Sequence, residues 1–208
     1  MIDLDCGHPT CISRAQIEAC VAEQTRHVLG VDLSLASTGV AAIRKHVAGW
    51  IYAETLTIAS AGRRSDNLTM RWARLARITS DVVEHATGVD LVVIEGPSIM
   101  SQHGSAWDRA GLWWQVVTEL LDAEIPVAVV PPTVVKKFAT DRGNADKAAV
   151  AVGMSRLWPT VEATSDNEWD ALALAHIGAQ RLGMDVPSRA HHADAVAKIA
   201  WPELEVMG

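Results

Sequence analysis

Val28-Leu29-Gly30-Val31-Asp32, followed by Leu33-Ser34-Leu35-Ala36-Ser37-Thr38-Gly39-Val40, is an apolar run that closes on a carboxylate, passes through small residues and resumes. The first run reads as a buried strand, and its acid stands at the carboxyl end, where open α/β sheets bind ligands. The pattern recurs at Leu91-Val92-Val93-Ile94-Glu95-Gly96-Pro97. A third acid, Asp170, lies in Asn167-Glu168-Trp169-Asp170-Ala171-Leu172-Ala173-Leu174-Ala175, which reads as helix. Two strand-end acids and one helix acid, far apart in sequence, are the donor set of a two-metal phosphodiester nuclease.

Working outward, strands are expected at about 28–32, 39–44 and 50–57, joined as a meander, with a loop through Ala61-Gly62-Arg63-Arg64-Ser65. Ser65 or Asp66 suits the N-cap of a helix whose stripe Leu68, Trp72, Leu75, Ile78 and Val82 faces a sheet. A strand at 91–95, a helix at 106–123 and a strand at 127–130 follow. Pro131-Pro132 ends the sheet and starts a short helix through 134–138. Further helices are expected at 146–157 and 168–182, with Gly183 as the stop. Three antiparallel strands and then βαβ alternation predict an α/β fold: a mixed five-stranded sheet with helices on both faces. Residues 1–26 read as an appendage with a short helix over 13–23, 27–183 as the domain, and 184–208 as a tail with an amphipathic stretch at 190–199.

The 208 residues suffice for one core of ordinary size. Apolar residues make up 49%, yet no stretch approaches the roughly 18 needed for a membrane span. The first twenty residues carry Asp3, Asp5 and Glu18 and read as no secretory signal. Three cysteines, all near the N-terminus, give no disulfide framework and suit a reducing cytoplasm. Cys6, His8, Cys11 and Cys20 lack the paired knuckle of a zinc site and read as part of a reduced appendage. The net charge of −7 argues weakly against a nucleic-acid partner, although acids spent on metals and a local basic patch answer that objection.

Three converging carboxylates would raise one another's pKa values, and divalent cations relieve that repulsion. Hard oxygen donors point to Mg²⁺, with Mn²⁺ able to substitute. Asp32 with Thr38-Gly39, then Glu95, then Lys136, Gly143 and Lys147, then Asp170-Ala171-Leu172-Ala173 occur in the order seen in RuvC-like Holliday junction resolvases. From about residue 27 to 183 the chain resembles that family and looks like one of its phage-encoded members. The resemblance implies an RNase H-like (retroviral integrase) fold, two Mg²⁺ ions per site, branched DNA as substrate, a homodimer, and the host cytoplasm as location. It also implies that Asp32, Glu95, Asp170 and the residue three before Asp170 hold the metals.

That fourth residue departs from the family pattern of Asp or His: it is Asn167, whose neutral oxygen would hold the second metal more weakly. Asn167 is favoured by register, with Asp166, at i−4 from Asp170, as its substitute. Glu168 points elsewhere on the helix wheel and reads as solvated.

Family members carry DNA-binding lysines at positions that look like Lys136 and Lys147. Lys137 and Arg142 in the same segment, and Arg64 in the earlier loop, are further candidates for phosphate contact. Arg63, Arg71 and Arg74 are weaker ones, and an ordinary solvated basic face stays open for all of them. Trp113-Trp114 suit a self-complementary interface or the core equally. His191-His192 read as surface histidines. In bacterial relatives an aromatic residue three positions after the second acid stacks on DNA; here that position is Ser98, which implies broader selectivity among junctions, forks and flaps.

Two other classes compete. An actin-like or sugar-kinase ATPase also uses an Asp…Thr-Gly loop, but needs two such domains. A non-catalytic branched-DNA binding protein would not need Asp32, Glu95 and Asp170 together.

Overall fold

The computed structural model describes residues 25–97 and 105–204. Five strands form one sheet: β1 (Arg26–Asp32), β2 (Ser37–Lys45), β3 (Ile51–Ala59), β4 (Leu91–Glu95) and β5 (Val127–Val130). Their order is β3-β2-β1-β4-β5; β1–β2 and β2–β3 pair antiparallel, β1–β4 and β4–β5 parallel. This is the mixed sheet that the sequence pattern predicts. The helices are α1 (Leu68–His85), α2 (Ala106–Asp122), α3 (Pro132–Thr140), α4 (Lys147–Leu157), α5 (Asp166–Arg181) and α6 (His192–Val196).

Strand alternation divides the core in two. Leu29, Val31, Val92 and Ile94 face α1 and α2, meeting Ile78, Val82, Leu112, Val116 and Leu120. Val28, Leu91 and Val93 face the other way, toward α3, α4 and α5. Helix α5 is apolar on nearly every side, because it lies across β1, β2 and β4 with α3 and α4 around it. Burying Leu172, Leu174 and Ile177 contributes about 1.5–3 kcal/mol for each side chain.

Two glycines permit the close approach of α5. A Cβ at Gly30 would stand 2.1 Å from the Ala171 carbonyl oxygen, and one at Gly39 would stand 2.0 Å from that of Asn167. Any larger residue there would lift the helix off the strands.

Several expectations are corrected. Leu68 and Trp72 are 79% and 62% exposed, so the buried stripe of α1 is confined to its second half, where the sheet lies beneath it. The N-cap of α1 is Asn67, not Ser65 or Asp66: its side chain accepts from Met70 N–H, while Asp66 accepts from Arg63 N–H. His192 is buried rather than surface-exposed. It stacks on Phe138 at 3.9 Å, and Arg189 N–H donates to its Nδ1. Residues 184–204, read as a tail, send Met184, Val186, Ala195 and Ile199 into the core and carry His191, whose Nε2–H donates to the Phe138 carbonyl. The cysteine segment and Ser98 lie outside the described residues.

Candidate active site

The same alternation that builds the core aims the acids. Asp32 shares the parity of Val28 and Gly30, and Glu95 that of Leu91 and Val93, so both project toward the face that α5 covers. The parallel register ends at Val31↔Ile94, which puts Asp32 and Glu95 one step further along adjacent strands. The β1–β2 turn holds the corner open. Thr38 Oγ1 donates to the Ser34 carbonyl at 2.8 Å and accepts from Ser34 N–H at 3.1 Å.

The helix acid arrives on a fixed support. Ser165 caps α5 by accepting from Glu168 N–H, and the Asn167 backbone rests on Gly39, the residue paired with Asp32. Glu168 overturns the solvated reading: it is only 2% exposed. Thr55 Oγ1 and Thr57 Oγ1, both on β3, donate to its carboxylate at 2.9 and 2.5 Å. Thr164 donates to it through both its N–H, at 3.0 Å, and its hydroxyl, at 2.8 Å. Burial alone would push this carboxyl up, but the Thr57, Thr164 and Thr55 donors hold it below its usual value. Glu168 therefore staples the first turn of α5 to the sheet, one residue after Asn167 and two before Asp170. The Ser165-x-x-Glu168 spacing is a capping-box signature that could have flagged it from sequence.

All three acids are held above their ordinary pKa values. Burial raises Asp32 well above the usual range, helped by Glu95 and Asp170, and it is only 9% exposed. Burial, then Asp170, pushes Glu95 up to about 7. Burial also raises Asp170, with a smaller push from the exposed Asp166. The Lys147 ammonium opposes the rise at all three, and Lys136 does so at Glu95 and Asp170. The three acids and two lysines singled out in the sequence thus come within electrostatic range of one another.

Asn167 has a definite structural role. Its Nδ2 donates to the Ser37 carbonyl, and its Oδ1 accepts from Lys147 Nζ at 3.2 Å. It bridges β2 and α4, whereas Asp166 is exposed. Lys137 is half-buried on α3, and Arg142 is exposed beyond that helix. Arg64 lies apart, in a groove with Arg63, Arg71 and Arg74.

The donor chemistry fits a hard divalent cation: three partly desolvated carboxylates whose repulsion a cation would relieve, beside an amide oxygen. The set is not closed around an ion. Among the described residues no three Asp, Glu, His or Cys side chains form a group that could hold one as they stand.

A cleft of about 240 Å³ opens beside the acids, lined by Asp32, Leu35, Glu95, Pro97, Arg109 and Trp113, among others. Trp113 is half-buried, and its Nε1–H donates to the Glu95 carbonyl at 3.0 Å. It thus joins the site through main chain, while Trp114 stays exposed.

This arrangement belongs to the RNase H-like class of α/β folds. Among solved structures the chain is similar to Thermus thermophilus RuvC, with a TM-score of 0.59, 22% identity, and coverage of 78% of this chain and 99% of that one. It is also similar to T. thermophilus RuvC in complex with Holliday junction substrate, with a TM-score of 0.57, 20% identity and the same coverages. At these identities the likeness shows the fold, and it bears out the fold expected from the sequence. No protein-family model and no curated protein sequence matches the chain. No helix among the described residues is long and apolar enough to cross a membrane.

Proposed function

We propose that this chain is a metal-dependent, structure-selective endonuclease of the RuvC-like, phage-encoded type that cuts Holliday junctions and other branched DNA. The observation that carries the reading is the convergence of Asp32, Glu95 and Asp170 at one corner, each above its usual pKa, with Lys136 and Lys147 beside them. The similarity in fold to a RuvC bound to a Holliday junction supports it.

Asp32, Glu95 and Asp170 would hold Mg²⁺ or Mn²⁺, with Asn167 Oδ1 or Asp166 completing the set. Two such ions, when bound, supply a water activated for attack and a counter-charge for the leaving oxygen. The chain's own residues do the rest. Glu168 and Gly39 fix Asp170 relative to Asp32, and Lys136, Lys147, Lys137 and Arg142 neutralise DNA phosphates. The protein acts as a homodimer, because a four-way junction presents two symmetric strands. Exposed Trp107 and Trp114 on α2, and Trp72 on the adjoining α1, supply large aromatic anchors for the second copy. Light scattering at micromolar concentration should give twice the chain mass.

The test is cleavage of a labelled four-way junction with and without Mg²⁺. Wild type should cut only with the metal. Asp32→Asn and Asp170→Asn should fall by more than about a hundredfold while still binding the junction, because a metal ligand is lost and the core is not. More than a few per cent of wild-type cleavage in either variant overturns the assignment.

A further inference from the structure

We propose that the groove between the 60–66 loop and the first turns of α1 and α2 is a second clamp for the DNA backbone. DNA then crosses the acid corner between two cationic grips, this one and Lys136 with Lys147. The proposal rests on the nuclease reading for its substrate class and adds where the strand runs.

The groove holds about 680 Å³ and is lined by Gly62, Arg63, Arg64, Asp66, Arg71, Arg74, Ser105 and Asp108. Four guanidiniums against two carboxylates leave it cationic, on a chain whose net charge is −7. Its floor is preorganised. Arg71 Nε donates to Asp108 Oδ2 at 3.0 Å in a two-pronged pair. Arg74 donates to Ser60 Oγ at 2.9 Å and to the Leu35 carbonyl, and its guanidinium lies against the Gly62 backbone. Its rim is different. The turn from Arg63 to Asp66 is closed by two hydrogen bonds, while the side chains of Arg63 and Arg64 are exposed and make no hydrogen bond or ion pair among the described residues. Two arginines held by hydrogen bonds beside two exposed ones suit a repeating anion, which is the chemistry of a phosphodiester backbone.

Position makes the groove relevant to the acids. Leu35, whose carbonyl anchors Arg74, also lines the cleft that contains Asp32 and Glu95. Ser105 and Asp108 of the groove alternate along α2 with Ala106 and Arg109 of that cleft. Groove and cleft thus adjoin at Leu35 and at the start of α2. Lys136 and Lys147 sit on α3 and α4, which pack on the opposite face of the sheet from α1 and α2.

The experiment measures binding without cleavage, using a four-way junction in Ca²⁺. Single methylphosphonates replace phosphates on each side of the branch point. The Arg63→Ala/Arg64→Ala double variant should bind about tenfold more weakly near 0.1 M salt, and its log–log salt slope should fall by about two units. Neutral phosphates on one side should weaken wild type but not this variant, whereas those on the other side should weaken both. Lys136→Ala should show the reverse assignment. Unchanged affinity and slope in the double variant overturn the clamp, even if cleavage is normal. Sensitivity of the arginine and lysine variants to the same phosphates overturns the two-sided track. Should the protein bind in this pattern yet never cut, the nuclease reading fails and the clamp stands.

Discussion

Helices α1 and α5 both begin with a side-chain cap, and there the likeness ends. Asn67 accepts from Met70 N–H, yet the first turn of α1 that follows leaves Leu68, Met70 and Trp72 in solvent. Ser165 caps α5, but that turn is also stapled by Glu168, bridged by Asn167 and pressed onto Gly39. One helix start is a surface that a large partner can mould; the other is a mount for a carboxylate that must not move. Reactive groups need placement within fractions of an ångström, whereas contacts to a macromolecule tolerate adjustment.

The largest expected contrast comes from removing the staple. Glu168→Ala should cost about 3 kcal/mol, since it strands the half-buried Thr55 and Thr57 hydroxyls that the carboxylate satisfied. Leu68→Ala on α1, a side chain 79% exposed, should stay within about 0.5 kcal/mol. Chemical denaturation compares them directly, and similar losses would erase the distinction. Glu168→Gln keeps the shape and part of the bonding. Its residual junction cleavage should drop further than its stability does, because Asp170 loses its aim.

Titration sharpens the contrast next. Glu95, with a folded-state pKa of about 7, binds a proton that the unfolded chain has already released above about pH 4.5. Its contribution therefore declines as pH rises through that window, by at most about 3 kcal/mol, and Asp32 adds loss of the same sign. His176 and His192 work in the other direction. Burial lowers them to about 3 and 4, so the neutral rings stabilise the fold above about pH 6.5, and that stability is lost as pH falls toward those values. Metal-free protein should thus melt highest between about pH 4.5 and 6.5. Added Mg²⁺ should restore stability on the alkaline side alone, where it meets ionised acids. A melting temperature that is flat from pH 6 to 8, and indifferent to Mg²⁺ there, would break the account of the corner.

The smallest effect belongs to Asn167→Asp. The aspartate cannot donate to the Ser37 carbonyl, which should cost about 1 kcal/mol. It should also lower the Mg²⁺ concentration needed for cleavage, since a carboxylate is a stronger ligand than an amide. An unchanged metal requirement would assign Asn167 to the bridge between β2 and α4 alone.

Element order and the placement of the acids were legible because they follow from local periodicity. An apolar run with an acid of fixed parity says which face the acid takes. Glu168 was misread because its partners Thr55 and Thr57 lie more than a hundred residues away, and a helix wheel carries no information about them. The same blindness placed Trp72 inside and His192 outside. A stripe shows which side of a helix is apolar, not how much of its length the sheet underlies. Nothing local shows that Phe138 waits for the ring of His192.

Asp32 lies on the first described strand, and Asp170 on a helix that ends at Arg181. During synthesis all five strands emerge before the helix that carries Asp170 and covers one face of their sheet. Contacts of such long range also come late in folding, since the closure entropy of the intervening chain is met before they reward it. A truncated or half-made chain therefore lacks both the third acid and the helix that buries that face of the sheet. On the nuclease reading, arming the site is the same event as finishing the fold.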